Sequence, residues 1–243
     1  MQVVAIIQAR MGSTRLPGKV MELIAGETML VRVVKRTRRA SLIDSVVVAT
    51  TMGRMDEPIV EECKKLNAPV FRGSEDDVLD RYYRAALACH AANVVRITSD
   101  CPLIDPEEID KVVREFLDCK SDYASNCLER TYPRGLDTEV MTIEALGRAW
   151  QEAREHYQRA HVTPYIYENP RLFKLCSVKT HGNYSKHRWT VDTPEDLTFI
   201  RAIYQRLDQR VDSSWKEILS VLSKEPQLVE LNRNIHQKAM EEG

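Results

Sequence analysis

Arg10, Arg15 and Lys19 fall within ten residues of one another in IIQARMGSTRLPGK, residues 6–19, beside Gly12, Pro17 and Gly18. Three cations on a loop with two glycines describe a cradle for a polyanion. Glycine lets backbone amides approach oxygens closely, proline stiffens the loop, and the cations neutralise charge. The stretch departs from a Walker A loop, in which four residues precede Gly-Lys and a Ser or Thr then holds magnesium. Here five residues separate Gly12 from Gly18-Lys19, and Val20 follows. The loop therefore suits a triphosphate but lacks the metal-binding hydroxyl, so hard oxygen ligands must come from elsewhere.

Two aspartates qualify by position. Asp100 follows the run NVVRIT (93–98) and Asp192 follows HRWTV (187–191), each at the expected carboxyl end of a strand. Aspartate before a helix is commonly a cap. Here Asp105 already caps a helix opening at Pro106, and Thr193 can cap one opening at Pro194, which leaves both carboxylates spare.

The elements that must position these groups are legible as an alternation. VVAII (3–7), SVVVAT (45–50), APVF (68–71) and NVVRIT are short β-branched runs, each followed by a longer amphipathic stretch. That pattern reads as βαβ units on a mostly parallel sheet, whose ligands bind beyond the carboxyl edge of the strands. VMELI (20–24) reads as strand-like. In the first amphipathic stretch Met29, Leu30, Val33 and Val34 share a face, and KRTRR (35–39) is expected to be solvated with its cations at a helix C-terminus. Beyond residue 120 the pattern is less regular. DYAS (122–125) and DTEVMT (137–142) read as strands around the turn-rich LERTYPRG, and residues 212–243 read as a charged helical extension of a nucleotide-binding domain spanning 1–211. That extension either packs on the domain or serves an oligomer contact.

Bulk properties narrow the class. A chain of 243 residues with 43% hydrophobic content supports one sizeable α/β core. The formal charge of −1 argues against a general nucleic-acid coat, although the first forty residues carry eight Lys or Arg against Glu22 and Glu27. The apolar run at Val3–Ile7 stops at Gln8 and Arg10, too short for a signal-peptide core or a membrane span. A cytoplasmic protein with neither nucleic acid nor membrane as partner is expected. Six cysteines without a CxxC or Cys/His cluster read as reduced, mostly buried thiols.

Several segments together carry a resemblance. IIQARMGSTRLPGKVM, FRGSEDDVLDRY, VRITSDCPLIDP, HVTPYIY and HRWTVDTPEDL occur in this order between residue 3 and about residue 205. They resemble the SpsF-type spore coat polysaccharide biosynthesis family, a branch of the cytidylyltransferases that includes the CMP-sugar-acid synthetases. The resemblance implies a three-layer, Rossmann-like α/β fold of the nucleotide-diphospho-sugar transferase (GT-A-like) type, with a mixed, mostly parallel sheet. It also implies Mg2+-dependent transfer of CMP from CTP with loss of pyrophosphate, in surface polysaccharide or glycoconjugate biosynthesis, and a possible homodimer; Arg130 and Arg134 suit an acidic sugar or related acceptor through bidentate contacts.

By the same resemblance Asp100 and Asp192 match the metal aspartates, and Arg72 matches an arginine that helps recognise the pyrimidine. Gln8, Ala9, Arg10, Gly12, Ser13 and Ser99 are the expected further nucleotide contacts, with Arg15, Lys19 and Asp100 as the catalytic set. Acceptor recognition is assigned to the irregular second half, where Asn126, Arg130, Arg134, Asp137, Glu139 and His161 are the polar candidates. His161 and His187 are the histidines considered as a general base, and neither is assigned. A glycosyltransferase using a nucleotide-sugar donor and a non-catalytic nucleotide-binding protein are the competing readings. A triphosphate loop facing two spare carboxylates favours the first reading over both.

Overall fold

The computed structural model describes residues 2–237. In chain order its elements are strand β1 (Val3–Gln8), the hairpin β2 (Leu23–Ile24) and β3 (Glu27–Thr28), helix α1 (Met29–Thr37), β4 (Ser45–Thr51), α2 (Glu57–Lys65), β5 (Val70–Gly73), α3 (Val78–Ala88) and β6 (Asn93–Thr98). Then follow α4 (Pro106–Cys119), β7 (Tyr123–Ser125), β8 (Glu139–Thr142), α5 (Ile143–Glu152), α6 (His156–His161), α7 (Pro164–Tyr167), β9 (Leu175–Ser177), α8 (Pro194–Arg206) and α9 (Trp215–Lys224).

Seven strands form one sheet in the order β5-β4-β1-β6-β8-β7-β9. The first four are mutually parallel, β8 runs antiparallel to β6 and β7, and β9 is parallel to β7. The chain steps outward from β1 to β4 and β5, then crosses back to β6 on the other side of β1. That reversal is a topological switch point, and it opens a crevice at the carboxyl ends of β1 and β6.

Alternation along the strands builds the three layers. Val3, Ala5 and Ile7 pack with α1, α2 and α4 on one face, while Val4 and Ile6 pack with α3 and α5 on the other. Each buried Val or Ile among them contributes about 1.5–3 kcal/mol. A third cluster joins Trp189, Val191 and Leu136 to Ile200 and Tyr204 of α8 and to Trp215, Ile218 and Leu222 of α9. Caps fix the helix starts. Asp105 accepts from Glu107 N, and Thr193 forms a reciprocal capping box with Asp196.

Several expectations are corrected. KRTRR is solvated only in part: Arg38 and Arg39 are exposed at the end of α1, but Arg36 is fully buried and donates to the carbonyls of Ile104, Val211 and Ser213. The neighbouring Arg32, also buried, donates to Ile24, Ala25 and Gln209 carbonyls. Apart from Ile24 in β2, the carbonyls that the two arginines satisfy lie in connecting turns, where buried backbone oxygens need side-chain donors. HRWTV forms no strand. It runs extended with one bridge, Arg134 to Arg188, and its hydrogen bonds go to Arg134 O and Asp100 O. VMELI divides into a 3-10 turn over Lys19–Met21 and the short β2. Of the cysteines only Cys63 and Cys101 are buried, and the others are partly exposed. Residues 215–231 pack on α8 through the third cluster, and residues 238–243 lie outside the described residues.

Candidate active site

The loop after β1 is held from beneath. Met11 N donates to Asp56 Oδ1 at 2.7 Å, and the buried Asp56 carboxylate also accepts from Thr51 N and Oγ1 at the end of β4. Gly18 N returns to Met11 O at 3.0 Å and closes the loop. Gly18 sits at φ 70°, a left-handed conformation that a side chain disfavours, and it launches the 3-10 turn that carries Lys19. Gly12 has room for a side chain and no such constraint.

Opposite the loop, the segment 190–191 is tied to the end of β6. Asp100 O accepts from Val191 N at 2.8 Å and from Thr190 Oγ1 at 3.2 Å. This strap brings the two spare aspartates together on one cation. Lys19 Nζ lies 2.9 Å from Asp100 Oδ2, 2.9 Å from Asp192 Oδ1 and 2.8 Å from Val191 O. Its three N–H donors are all used. Arg15 Nη2 lies 3.0 Å from Asp192 Oδ2, and Arg188 Nη2 lies 2.6 Å from the same oxygen.

The electrostatics follow from this crowding. Burial acts to lower the Lys19 pKa, but the adjacent Asp100 and Asp192 charges outweigh it and the ammonium is held more firmly than usual. Burial acts to raise Asp192, yet Lys19, then Arg188 and Arg15, pull its carboxyl down to about 2. Asp100 is steadied on its other oxygen by Thr98 Oγ1 at 2.6 Å.

These groups edge a cleft of about 550 Å³ at the switch point. It is lined by Gln8, Ala9, Arg10, Gly12, Ser13, Arg15, Lys19, Ser99, Asp100, His161 and Asp192 of the expected residues. Arg10 is exposed and makes no ion pair among the described residues, so its charge is available to a ligand. His161 precedes Val162, which is fully buried at φ 75° and ψ −54°. Thr163 N closes this γ-turn on His161 O at 2.9 Å. A β-branched residue in that conformation stores about 1–3 kcal/mol of strain, and the turn sits at the cleft wall.

Seven of the residues named from the sequence are elsewhere. Arg72 is spent on Thr51 O, Gly53 O and Glu57 beside the sheet edge. Asn126 is buried, bonding Leu136 O and Thr138 N. Arg130 makes a two-pronged pair with Asp137 at 2.6 and 2.8 Å. Glu139 is buried against Arg96, Tyr123 OH and Thr163 Oγ1. Arg134 does not line the cleft; burial and the nearby Arg130 lower its guanidinium pKa. Nor does His187, whose pKa is lowered by burial and by Lys186, line it.

In their place the cleft gains Arg81, Glu75, Asp76, Thr98 and His156. Arg81 is 1% exposed, donates through Nη1 to Ser74 O and leaves Nε without a partner. The available sequence signal was its phase: Arg81 interrupts the apolar face formed by Val78, Leu79, Tyr82 and Ala85 on α3.

A cleft of about 550 Å³ at the switch point of a mixed α/β sheet, with a cationic loop facing two carboxylates, is the framework of a nucleotidyltransferase. Comparison with known proteins makes this specific. Residues 4–227 match the family model described as Cytidylyltransferase. An uncharacterized protein of Methanocaldococcus jannaschii is 40% identical over all of this chain and 99% of its own length. The spore coat polysaccharide biosynthesis protein SpsF of Bacillus subtilis is 35% identical over 91% of this chain and 94% of its own. A solved cytidylyltransferase from Leptospira borgpetersenii superposes with a TM-score of 0.91 at 34% identity, covering 98% of this chain and all of that one. The chain belongs to the cytidylyltransferase family. The fold also extends to CMP:2-keto-3-deoxy-manno-octonic acid synthetase, solved with CTP, at a TM-score of 0.65 and 18% identity over 85% of this chain and 99% of that one. No helix among the described residues is long and apolar enough to cross a membrane.

Proposed function

We propose that this chain transfers CMP from CTP to an acidic sugar or a related acidic acceptor, with Mg2+ and release of pyrophosphate, in surface polysaccharide or glycoconjugate biosynthesis. The observation that carries the reading is the Lys19 ammonium seated between Asp100 and Asp192 at 2.9 Å from each. A seat that holds an ammonium between two carboxylates is made for a cation. Two carboxylates are also the donor set magnesium takes when phosphate oxygens and water complete its shell. Among the described residues no third acidic, His or Cys side chain joins them, so the nucleotide itself is the fitting source of the remaining ligands. Asp100 and Asp192 would hold the ion, which would neutralise charge along the phosphate chain.

The protein's own part is positioning and electrostatics. An acceptor oxygen attacks the α-phosphorus in line, the bond to the β-phosphate oxygen breaks, and pyrophosphate departs with the electron pair. Lys19 and Arg15 neutralise the leaving oxygens and Arg10 holds the chain of phosphates. Lys19, which here bonds both carboxylates, would be released for that task if Asp100 and Asp192 held the ion. A hydroxyl nucleophile must also give up a proton, and His156 and His161 are the histidines lining the cleft. Arg81 takes the nucleotide-recognition role expected of Arg72, since it reaches the cleft and Arg72 does not.

The test is a pyrophosphate-release screen over four nucleoside triphosphates and a panel of acidic sugars and phosphonates. Release that requires CTP, Mg2+ and one acceptor supports the reading. Release with a different nucleotide, or none with any combination, overturns it.

A further inference from the structure

The family match ends at residue 227, yet the chain beyond it reaches the carboxylate seat. After the 3-10 turn Pro226–Leu231 comes Asn232, which is 4% exposed. Its Nδ2 donates to Arg188 O at 3.0 Å and to Asp196 Oδ1 at 2.9 Å. Asp196 is fully buried and is itself a hub. It accepts from Arg188 Nε and Nη2, both at 3.0 Å, from Asp192 N at 3.0 Å and from Thr193 N at 3.2 Å. Arg188 Nη2 then holds Asp192 Oδ2 at 2.6 Å.

Both the backbone and the carboxylate of Asp192 are thus referenced to Asp196. Without Asn232, Asp196 Oδ1 would keep only Arg188 Nε, and Arg188 would lose the anchor on its own carbonyl. We propose that Asn232 is a positioning residue for Asp192: through Asp196 and Arg188 it fixes Asp192 Oδ2 and so leaves Oδ1 aimed at the cation seat shared with Asp100. The inference rests on the reading of Asp192 as a metal carboxylate. Groups that orient a metal ligand typically change metal affinity by about 10–100-fold when removed.

The experiment is a Mn2+ titration followed by the electron paramagnetic resonance of the free ion, with CTP present, on the full chain. N232D keeps the side-chain volume, removes the donors and places a carboxylate beside Asp196. It is expected to weaken Mn2+ binding about tenfold or more. N232A, which removes the amide without adding charge, carries the same expectation and serves if N232D does not fold. L228A removes a buried side chain from the same segment. It is expected to lower the melting temperature while leaving Mn2+ affinity within about twofold. Wild-type affinity in both Asn232 variants, or an equal loss in L228A, overturns the positioning role. D192N separates the two claims: strong Mn2+ binding by that variant overturns the metal reading itself, whereas weak binding by D192N with intact binding by the Asn232 variants overturns only the role of Asn232.

Discussion

Lys19 Nζ stands 2.9 Å from Asp192 Oδ1 across 173 residues of sequence. The contact closes the loop after β1 onto the late DTPED segment, and it makes the lysine an internal cation competing for the seat proposed for the metal. K19M is therefore expected to have two opposed effects. Pyrophosphate release at saturating CTP should fall about 10²–10³-fold, as for loss of a preorganised donor to a leaving oxygen. Mn2+ binding without nucleotide should tighten, because the carboxylates lose their built-in partner. Unchanged metal affinity would show that Lys19 does not occupy the seat.

Acid should expose the cost of this cluster. Asp192 titrates near 2 in the fold, below about 3.9 in an unfolded chain. A depressed carboxyl contributes stability that is fully present above the unfolded value and is lost as pH falls through the folded one. On the order of 2 kcal/mol should disappear between about pH 5 and 2. Urea midpoints for wild type and D192N should converge over that interval as the pH is lowered. A constant gap would contradict the assignment.

Arg81 and Arg72 make opposite demands. R81M should weaken CTP binding about tenfold or more, the scale of one lost charge-assisted hydrogen bond. R72A should leave CTP affinity nearly unchanged and lower stability modestly, because Arg72 serves Thr51 O and Gly53 O. Titration calorimetry with CTP and Mg2+ measures the first effect, and thermal melting the second. Loss of CTP binding in R72A alone would restore the sequence-based assignment.

Arg36 should behave as a structural pin. R36A orphans carbonyls of Ile104, Val211 and Ser213, and buried unsatisfied groups cost about 1–3 kcal/mol each. A loss on the order of 3 kcal/mol in urea and faster proteolysis near residues 208–214 are expected. R36K should rescue only part of it, because a single ammonium cannot span three carbonyls the way a planar guanidinium does.

How much of this was legible in the sequence depended on whether a local pattern had one physical outcome. A β-branched run such as SVVVAT (45–50) has one, and the six runs from VVAII to DTEVMT each supply a strand of the sheet. Asp100 and Asp192 were legible because the neighbouring Asp105 and Thr193 left them spare. Arg36 was not, since its carbonyl partners near Ile104 and Ser213 come from distant turns that no local pattern announces. HRWTV has strand composition, but its partners are a turn at Arg134 and the carbonyl of Asp100, a tertiary arrangement. Arg72 and Arg81 flank the same acidic turn, and only the path of β5 against β4 decides which faces the cleft. The short β9, with Leu175, Cys176 and Ser177, carries too little apolar pattern to be read at all.

If Asp100 and Asp192 couple CTP to a divalent cation, nucleotide affinity must depend on both the ion and the carboxylates. Calorimetric titration of CTP into wild type and D100A, each with Mg2+ and again with EDTA, measures that dependence. The expected result is that chelation weakens CTP binding to wild type about tenfold or more and has no effect on D100A, whose circular dichroism stays that of the folded protein. Equal dependence on Mg2+ in wild type and D100A would contradict the coupling.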